Sequence, residues 1–156
     1  DDAGPGDGPV LYVPPRNGDR AIMVDIDGTL AAHGTRSPFD WARVGEDTPV
    51  EAVVEAVEAA RDAGYRIIFC SGRSDECRTE TEAWLAMHAG RRDIYEPLLM
   101  RAAGDMRKDS VVKLELFDQH VRDRYDVRYV LDDRQQVVDA WRSIGLTVFQ
   151  VAPGDF

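Results

Sequence analysis

AIMVDIDGTL, residues 21–30, is the stretch on which the fold turns. Its first half is an almost unbroken apolar run, the pattern of a strand buried on both faces. The run gives way to two carboxylates, Asp25 and Asp27, and then to Gly28, a turn signal. A buried strand that ends in acids puts charge at the carboxyl edge of a sheet, where open α/β folds hold their ligands.

Two other runs read the same way. YRIIFCS (65–71) leads into Gly72 and Arg73, and VRYVLDD (127–133) ends on Asp132 and Asp133. Between the first and second runs, valines at 50, 53, 54 and 57 follow helical spacing. Thr48 as N-cap, Pro49 in the first turn and Gly64 as C-cap bound that helix. Ser74–His88 reads as a helix with acids in its first turn, and PLLM (97–100) as a short strand. Residues 110–125 form a helix with a mixed apolar face of Val111, Val112, Leu114, Leu116, Phe117 and Val121. RQQVVDAWRSIG (134–145) is an amphipathic helix closed by Gly145, and LTVFQVA (146–152) is a last strand. Strands alternating with helices predict a three-layer α/β fold with a central parallel sheet.

Composition sets the class. A chain of 156 residues, 44% hydrophobic and 31% charged, is sized for one globular domain with its own core. Residues 1–19 begin with Gly, Pro and Asp and little to bury, so they are expected to be a flexible linker or tail, and 20–156 the folded domain. No apolar run nears the roughly 18 residues needed to span a bilayer, and the N-terminus lacks a signal peptide's basic and apolar regions. No membrane partner and a cytoplasmic location are expected. Cys70 and Cys77 lack CxxC spacing and read as reduced structural thiols. A net charge of −10 opposes broad coating of nucleic acid, though not the gripping of one phosphorylated end.

The polar residues collect at three predicted strand ends: Asp25 and Asp27, Ser71 to Arg73, Asp132 and Asp133. Four carboxylates drawn together repel unless a cation neutralises them or some are protonated. Oxygen-only ligands favour magnesium over zinc. Asp25 and Asp27 are two apart, so in a continuing strand both side chains point one way, which suits a nucleophile beside a general acid/base. Ser71, Arg73 and a lysine would hold phosphoryl oxygens. The competing reading of DIDG as a calcium loop fails on spacing, because an EF-hand needs its glycine at the sixth position.

Taken together, VDIDGTL, FCSGR, Lys113 and VLDD resemble the four motifs of haloacid dehalogenase-type phosphotransferases. Adding GTRSPFDW, GDMRKDSVVK and LDDRQQVVDAWRSIGLTVFQVAPGDF, the chain from Arg20 to Phe156 is similar to the phosphatase domain of bacteriophage polynucleotide kinase-phosphatases. The resemblance implies a magnesium-dependent polynucleotide 3′-phosphatase with a minimal cap, working through an aspartyl-phosphate on RNA or DNA ends and extending to 2′,3′-cyclic phosphates. It implies Asp25 as nucleophile and Asp27 as general acid/base. Thr29, Arg36, Ser71, Gly72, Arg73 and Lys113 would bind phosphate, and Asp109 would support them. Asp25, the backbone carbonyl of Asp27 and one or both of Asp132 and Asp133 would hold Mg2+. It further implies a kinase domain elsewhere in a longer protein, since no GxxxxGK[ST] loop occurs here, and a homo-oligomer.

About twenty residues separate the first strand from Pro49, too few for a large lid. An open site suits a polymer end. In that short insertion Arg36 could reach the phosphate, and Phe39 or Trp41 could stack on a base or simply pack the flap. Arg101, Arg107 and Lys108 form a basic cluster that suits either a strand backbone or solvent. A small-metabolite phosphatase and a non-catalytic phosphate-end-binding module are the alternatives, the second weakened by the presence of both Asp25 and Asp27.

Overall fold

A computed structural model of the chain describes residues 8–32, 37, 40–92 and 95–156. Five parallel strands form the central sheet: β1 (Asp19–Val24), β4 (Arg66–Ser74), β5 (Leu98–Arg101), β6 (Tyr125–Asp132) and β7 (Val148–Gln150). Their order across the sheet is β5-β4-β1-β6-β7, with β1 in the middle. A two-stranded antiparallel ribbon, β2 (Ala31–Ala32) with β3 (Thr48–Pro49), stands apart, with a 3₁₀ turn at Trp41–Glu46 between its strands. Among the described residues there are four α-helices: α1 (Glu51–Asp62), α2 (Arg78–His88), α3 (Asp109–His120) and α4 (Gln135–Ser143).

The alternation of side chains along β1 explains the three layers. Ile22 and Val24 join Ile67 and Phe69 of β4 against α1 and α2, through Val54, Val57, Trp84 and Leu85. Ala21 and Met23 face the other way and meet Ile68, Cys70, Phe117 of α3 and Val138 and Trp141 of α4. Both faces of β1 are therefore dry, and each large side chain fully buried there stabilises the fold by about 1.5–3 kcal/mol. The expected parallel sheet covered on both sides is what these residues build.

Register then positions the site. Val24, the last residue of β1, lies opposite Phe69 of β4 on one side and Leu131 of β6 on the other, so these three mark one line across the sheet. The residues beyond that line, Asp25, Ser71 and Asp132, come together at the carboxyl edge.

Local details depart from the sequence reading. Thr48 and Pro49 are not the start of a helix: they pair with Ala32 and Ala31, and α1 begins at Glu51 with Val50 as its N-cap. Ser74 does cap, accepting from the Glu76 N–H, but a 3₁₀ turn at Asp75–Cys77 intervenes before α2. On α3, Val111 is exposed and Leu114 and Leu116 are half-buried, so the dry face is narrower than the sequence suggests. In the stretch expected to be a tail, the Tyr12 hydroxyl donates to the Tyr125 carbonyl at 2.5 Å and accepts from the Val127 N–H at 2.8 Å. The Tyr12 ring meets Phe117 edge-on.

Candidate active site

Asp25 sits one residue beyond β1 and is 6% exposed. Thr29 Oγ1 donates to its Oδ2 at 2.8 Å, and Lys113 Nζ, rising from α3, donates to its Oδ1 at 2.8 Å. The same ammonium reaches Asp132 Oδ2 at 3.1 Å, which also accepts from Trp141 Nε1 at 3.2 Å. Asp133 completes the group: Asp25, Asp132 and Asp133 offer carboxylate oxygens all within 4.8 Å of one another. Gly28, at a positive φ of 80°, admits this packing, since a Cβ there would collide with the Asp133 carboxylate.

Charge is crowded here. Burial, followed by repulsion from Asp132, pushes the Asp25 carboxyl well above its ordinary range despite the pull of Lys113. Burial, again with Asp132 behind it, raises Asp133. Burial works against the Lys113 charge too, but Asp132 and Asp25 outweigh it and hold the ammonium well above its usual value. One buried lysine therefore balances part of a three-carboxylate cluster, which leaves room for a divalent cation.

Asp27 does not share the direction of Asp25. The strand stops at Val24, the chain turns, and Asp27 faces Arg73 instead, with Nη2 on its Oδ1 at 2.8 Å and Nε on its Oδ2 at 3.0 Å. Arg73 is wholly buried and also donates to Asp47 Oδ2 at 2.9 Å and Thr81 Oγ1 at 3.0 Å. Its guanidinium, expected on phosphate, braces Asp27 from below. Ser71 Oγ accepts from the Arg73 N–H at 3.0 Å.

A cleft of about 630 Å³ opens above these groups. Asp25, Asp27, Gly72, Arg73, Asp109, Lys113, Asp132 and Asp133 line it, whereas Thr29 and Ser71 lie one layer back, buried against Asp25 and Arg73. Arg36 and Phe39 fall outside the described residues; Trp41 does reach the cleft. Asp109 is the first residue of α3 rather than its cap, which is Lys108. Its carboxylate pairs with Arg101 and, at 2.8 Å, with Arg134 Nη1. A Cβ on Gly72 would strike it. Cys70, beneath Lys113, is free, and burial pushes its thiol up to about 12. Asp47, Thr81 and Arg134 escape the sequence reading as site residues; Arg134, directly after the Asp132-Asp133 pair, is the one its position could have flagged.

With the family match below, a parallel sheet with a buried, lysine-bridged carboxylate cluster at its carboxyl edge places the chain among phosphatases of the haloacid dehalogenase type. The fold is shared with a class C acid phosphatase from Bacillus anthracis, solved with tungstate bound (TM-score 0.61, 16% identity, 88% of this chain and 68% of that one). More narrowly, the chain belongs to the family described as the polynucleotide kinase PNKP phosphatase domain, whose sequence model matches residues 19–156. It is 37% identical over 135 residues to a protein of the Autographa californica nuclear polyhedrosis virus described as a bifunctional polynucleotide kinase/RNA ligase, covering 85% of this chain and 19% of the viral protein. A chain in the solved structure of a Pnkp1/Rnl/Hen1 complex superposes with a TM-score of 0.87 at 37% identity, over 95% of this chain and 51% of its own length. The chain thus spans about a fifth and about half of these two relatives. Among the described residues, no helix is long and apolar enough to cross a membrane.

Proposed function

We propose that this domain is a polynucleotide 3′-phosphatase that removes the terminal phosphate from RNA or DNA 3′ ends in nucleic acid repair. The observation that carries the reading is Asp25, buried at a strand end, pinned by Lys113 and Thr29, and still facing an open cleft. Membership of a polynucleotide kinase phosphatase family supports the choice of substrate, as does a relative solved within an RNA repair complex. A kinase module in the same longer protein, and partners of that kind, belong to the same proposal.

The positions of the side chains support the following chemistry. An Asp25 carboxylate oxygen attacks phosphorus as the bond from phosphorus to the 3′ oxygen breaks, giving an aspartyl-phosphate. Asp27, held by Arg73, delivers a proton to the departing 3′ oxygen. Asp27 then takes a proton from water, whose oxygen attacks phosphorus and releases phosphate from Asp25. Lys113 offsets charge on Asp25 and on the phosphoryl oxygens throughout. The oxygen-only trio Asp25, Asp132 and Asp133 fits Mg2+, with the Asp27 carbonyl as a further ligand. When bound, the ion would neutralise the carboxylates and polarise the phosphoryl group.

A substrate panel tests the proposal. Oligonucleotides bearing 3′, 2′ and 2′,3′-cyclic phosphates are compared with nucleoside monophosphates and sugar phosphates, with and without MgCl2. The expected result is Mg2+-dependent release from 3′-phosphorylated ends at the highest kcat/KM, absent in Asp25→Asn. Equal or better turnover of sugar phosphates would make this a small-metabolite phosphatase, and normal turnover by Asp25→Asn would end the nucleophile assignment.

A further inference from the structure

The segment joining β5 to α3 supplies one wall of the cleft, from Gly104 to Lys108, and its backbone is fastened at several points. Arg101 Nη1 donates to the carbonyls of Asp105 at 3.0 Å and Arg107 at 2.6 Å, while its Nε donates to the Gly72 carbonyl at 2.8 Å. The Ala103 N–H donates to Asp75 at 3.1 Å. The Arg107 guanidinium is bracketed by Asp105 at 2.7 Å and Glu115 at 2.8 Å. Two of the three cations in this basic cluster are therefore neutralised within the protein.

Lys108 differs from both. It is exposed, lines the cleft and, among the described residues, its side chain has no carboxylate or hydrogen-bond partner. Beside it Met106, 90% exposed, displays a flexible apolar side chain on the same wall. A braced loop that offers an unpaired ammonium and an adaptable apolar group to a cleft in an acidic chain is arranged for a polyanion with apolar parts. Lys108 caps the helix that carries Lys113, about 7.5 Å further along its axis, a distance on the scale of one nucleotide.

We propose that Lys108 is a specificity-determining contact: its ammonium binds the phosphodiester joining the terminal nucleotide to its neighbour, with Met106 against the terminal base. This rests on the 3′-end reading above. It makes the loop the element that distinguishes a strand from a mononucleotide.

The test compares wild type, Lys108→Ala and Lys108→Arg on a trinucleotide 3′-phosphate and on a nucleoside 3′-monophosphate, which has no second phosphate. For Lys108→Ala, KM for the trinucleotide is expected to rise about five- to tenfold with kcat nearly unchanged, and the log–log salt slope to fall by about 0.7. KM for the mononucleotide should stay within about twofold, and Lys108→Arg should restore the trinucleotide value. Equal effects on both substrates, or none on either, overturn the inference. If wild type itself fails to prefer the trinucleotide, the 3′-end reading is what falls; if wild type prefers it and Lys108→Ala keeps that preference, only the role of Lys108 falls.

Discussion

Lys113 gives up its water to sit between Asp25 and Asp132, and each of those carboxylates would be far costlier to bury without it. Lys113→Met should therefore lower stability by about 3–5 kcal/mol and abolish turnover, while the double variant with Asp25→Asn recovers part of that stability and stays inactive. Urea unfolding of wild type and the two variants measures this, and a Lys113→Met as stable as wild type would refute it. Asp109 poses the opposite electrostatic case. Burial alone would raise its carboxyl, but Lys113, Arg134 and Arg101 outweigh that and hold it below the usual carboxylate range. A depressed carboxyl contributes stability above its unfolded value, near 4, and that contribution disappears as pH falls through the folded value. Asp109→Asn is thus expected to cost about 1–3 kcal/mol at pH 7 and much less at pH 3. An equal loss at both pH values would show that packing, not charge, is what Asp109 provides.

Among the elements, β4 and the ribbon after β1 are tied through one side chain. Arg73 carries bonds to Asp27 in the turn, Asp47 just before β3 and Thr81 on α2, and Trp84 Nε1 donates to the Asp47 carbonyl at 2.8 Å. Asp47→Ala leaves a fully buried guanidinium with one carboxylate fewer, so stability should fall by about 3 kcal/mol and kcat should drop as Asp27 loses its brace. Asp47→Asn, which keeps an acceptor, should fall between. Thermal unfolding and single-turnover rates check the pair, and an unchanged kcat in Asp47→Ala would separate Asp27 from this network. Asp47 also marks where sequence reading stops. β1, β4 and β6 were legible because the buried stretch of a central strand has to be apolar, which makes a polar residue at its end conspicuous. Asp47 lies in GEDTP, an ordinary loop composition, and its partner Arg73 is 26 residues away, a relation no local pattern encodes. Thr48 and Pro49 misled for a similar reason: they carry helix-start chemistry, yet Ala31 and Ala32 offer a strand partner, and the tertiary pairing prevails. Asp25 and Asp27 diverge because alternation holds only while a strand continues, and β1 ends at Val24.

At the scale of the whole molecule, the acidic cluster joins the stability of the fold to pH and, on the proposed function, to a divalent cation. Without a metal, Asp25 and Asp133 have carboxyls raised above their unfolded values, so the native chain holds protons more tightly than the unfolded one. The sign follows: stability falls as pH rises from near 4 through the raised values, and above them the full repulsion of the cluster bears on the sheet ends. A divalent cation held by Asp25, Asp132 and Asp133 needs those groups deprotonated and so binds with release of protons. Stabilisation by Mg2+ should accordingly be small at pH 5 and grow toward pH 8. At a concentration of 100 times Kd it amounts to about 2.7 kcal/mol, or a rise in Tm on the order of 5–10 °C for a domain of this length. Melting curves at pH 5, 6.5 and 8, each with EDTA and with MgCl2, measure the increment directly. Asp132→Asn should reduce it at every pH by removing one ligand. An increment that is the same at all three pH values, or that survives Asp132→Asn undiminished, would place the cation somewhere other than the strand ends where β1 and β6 meet.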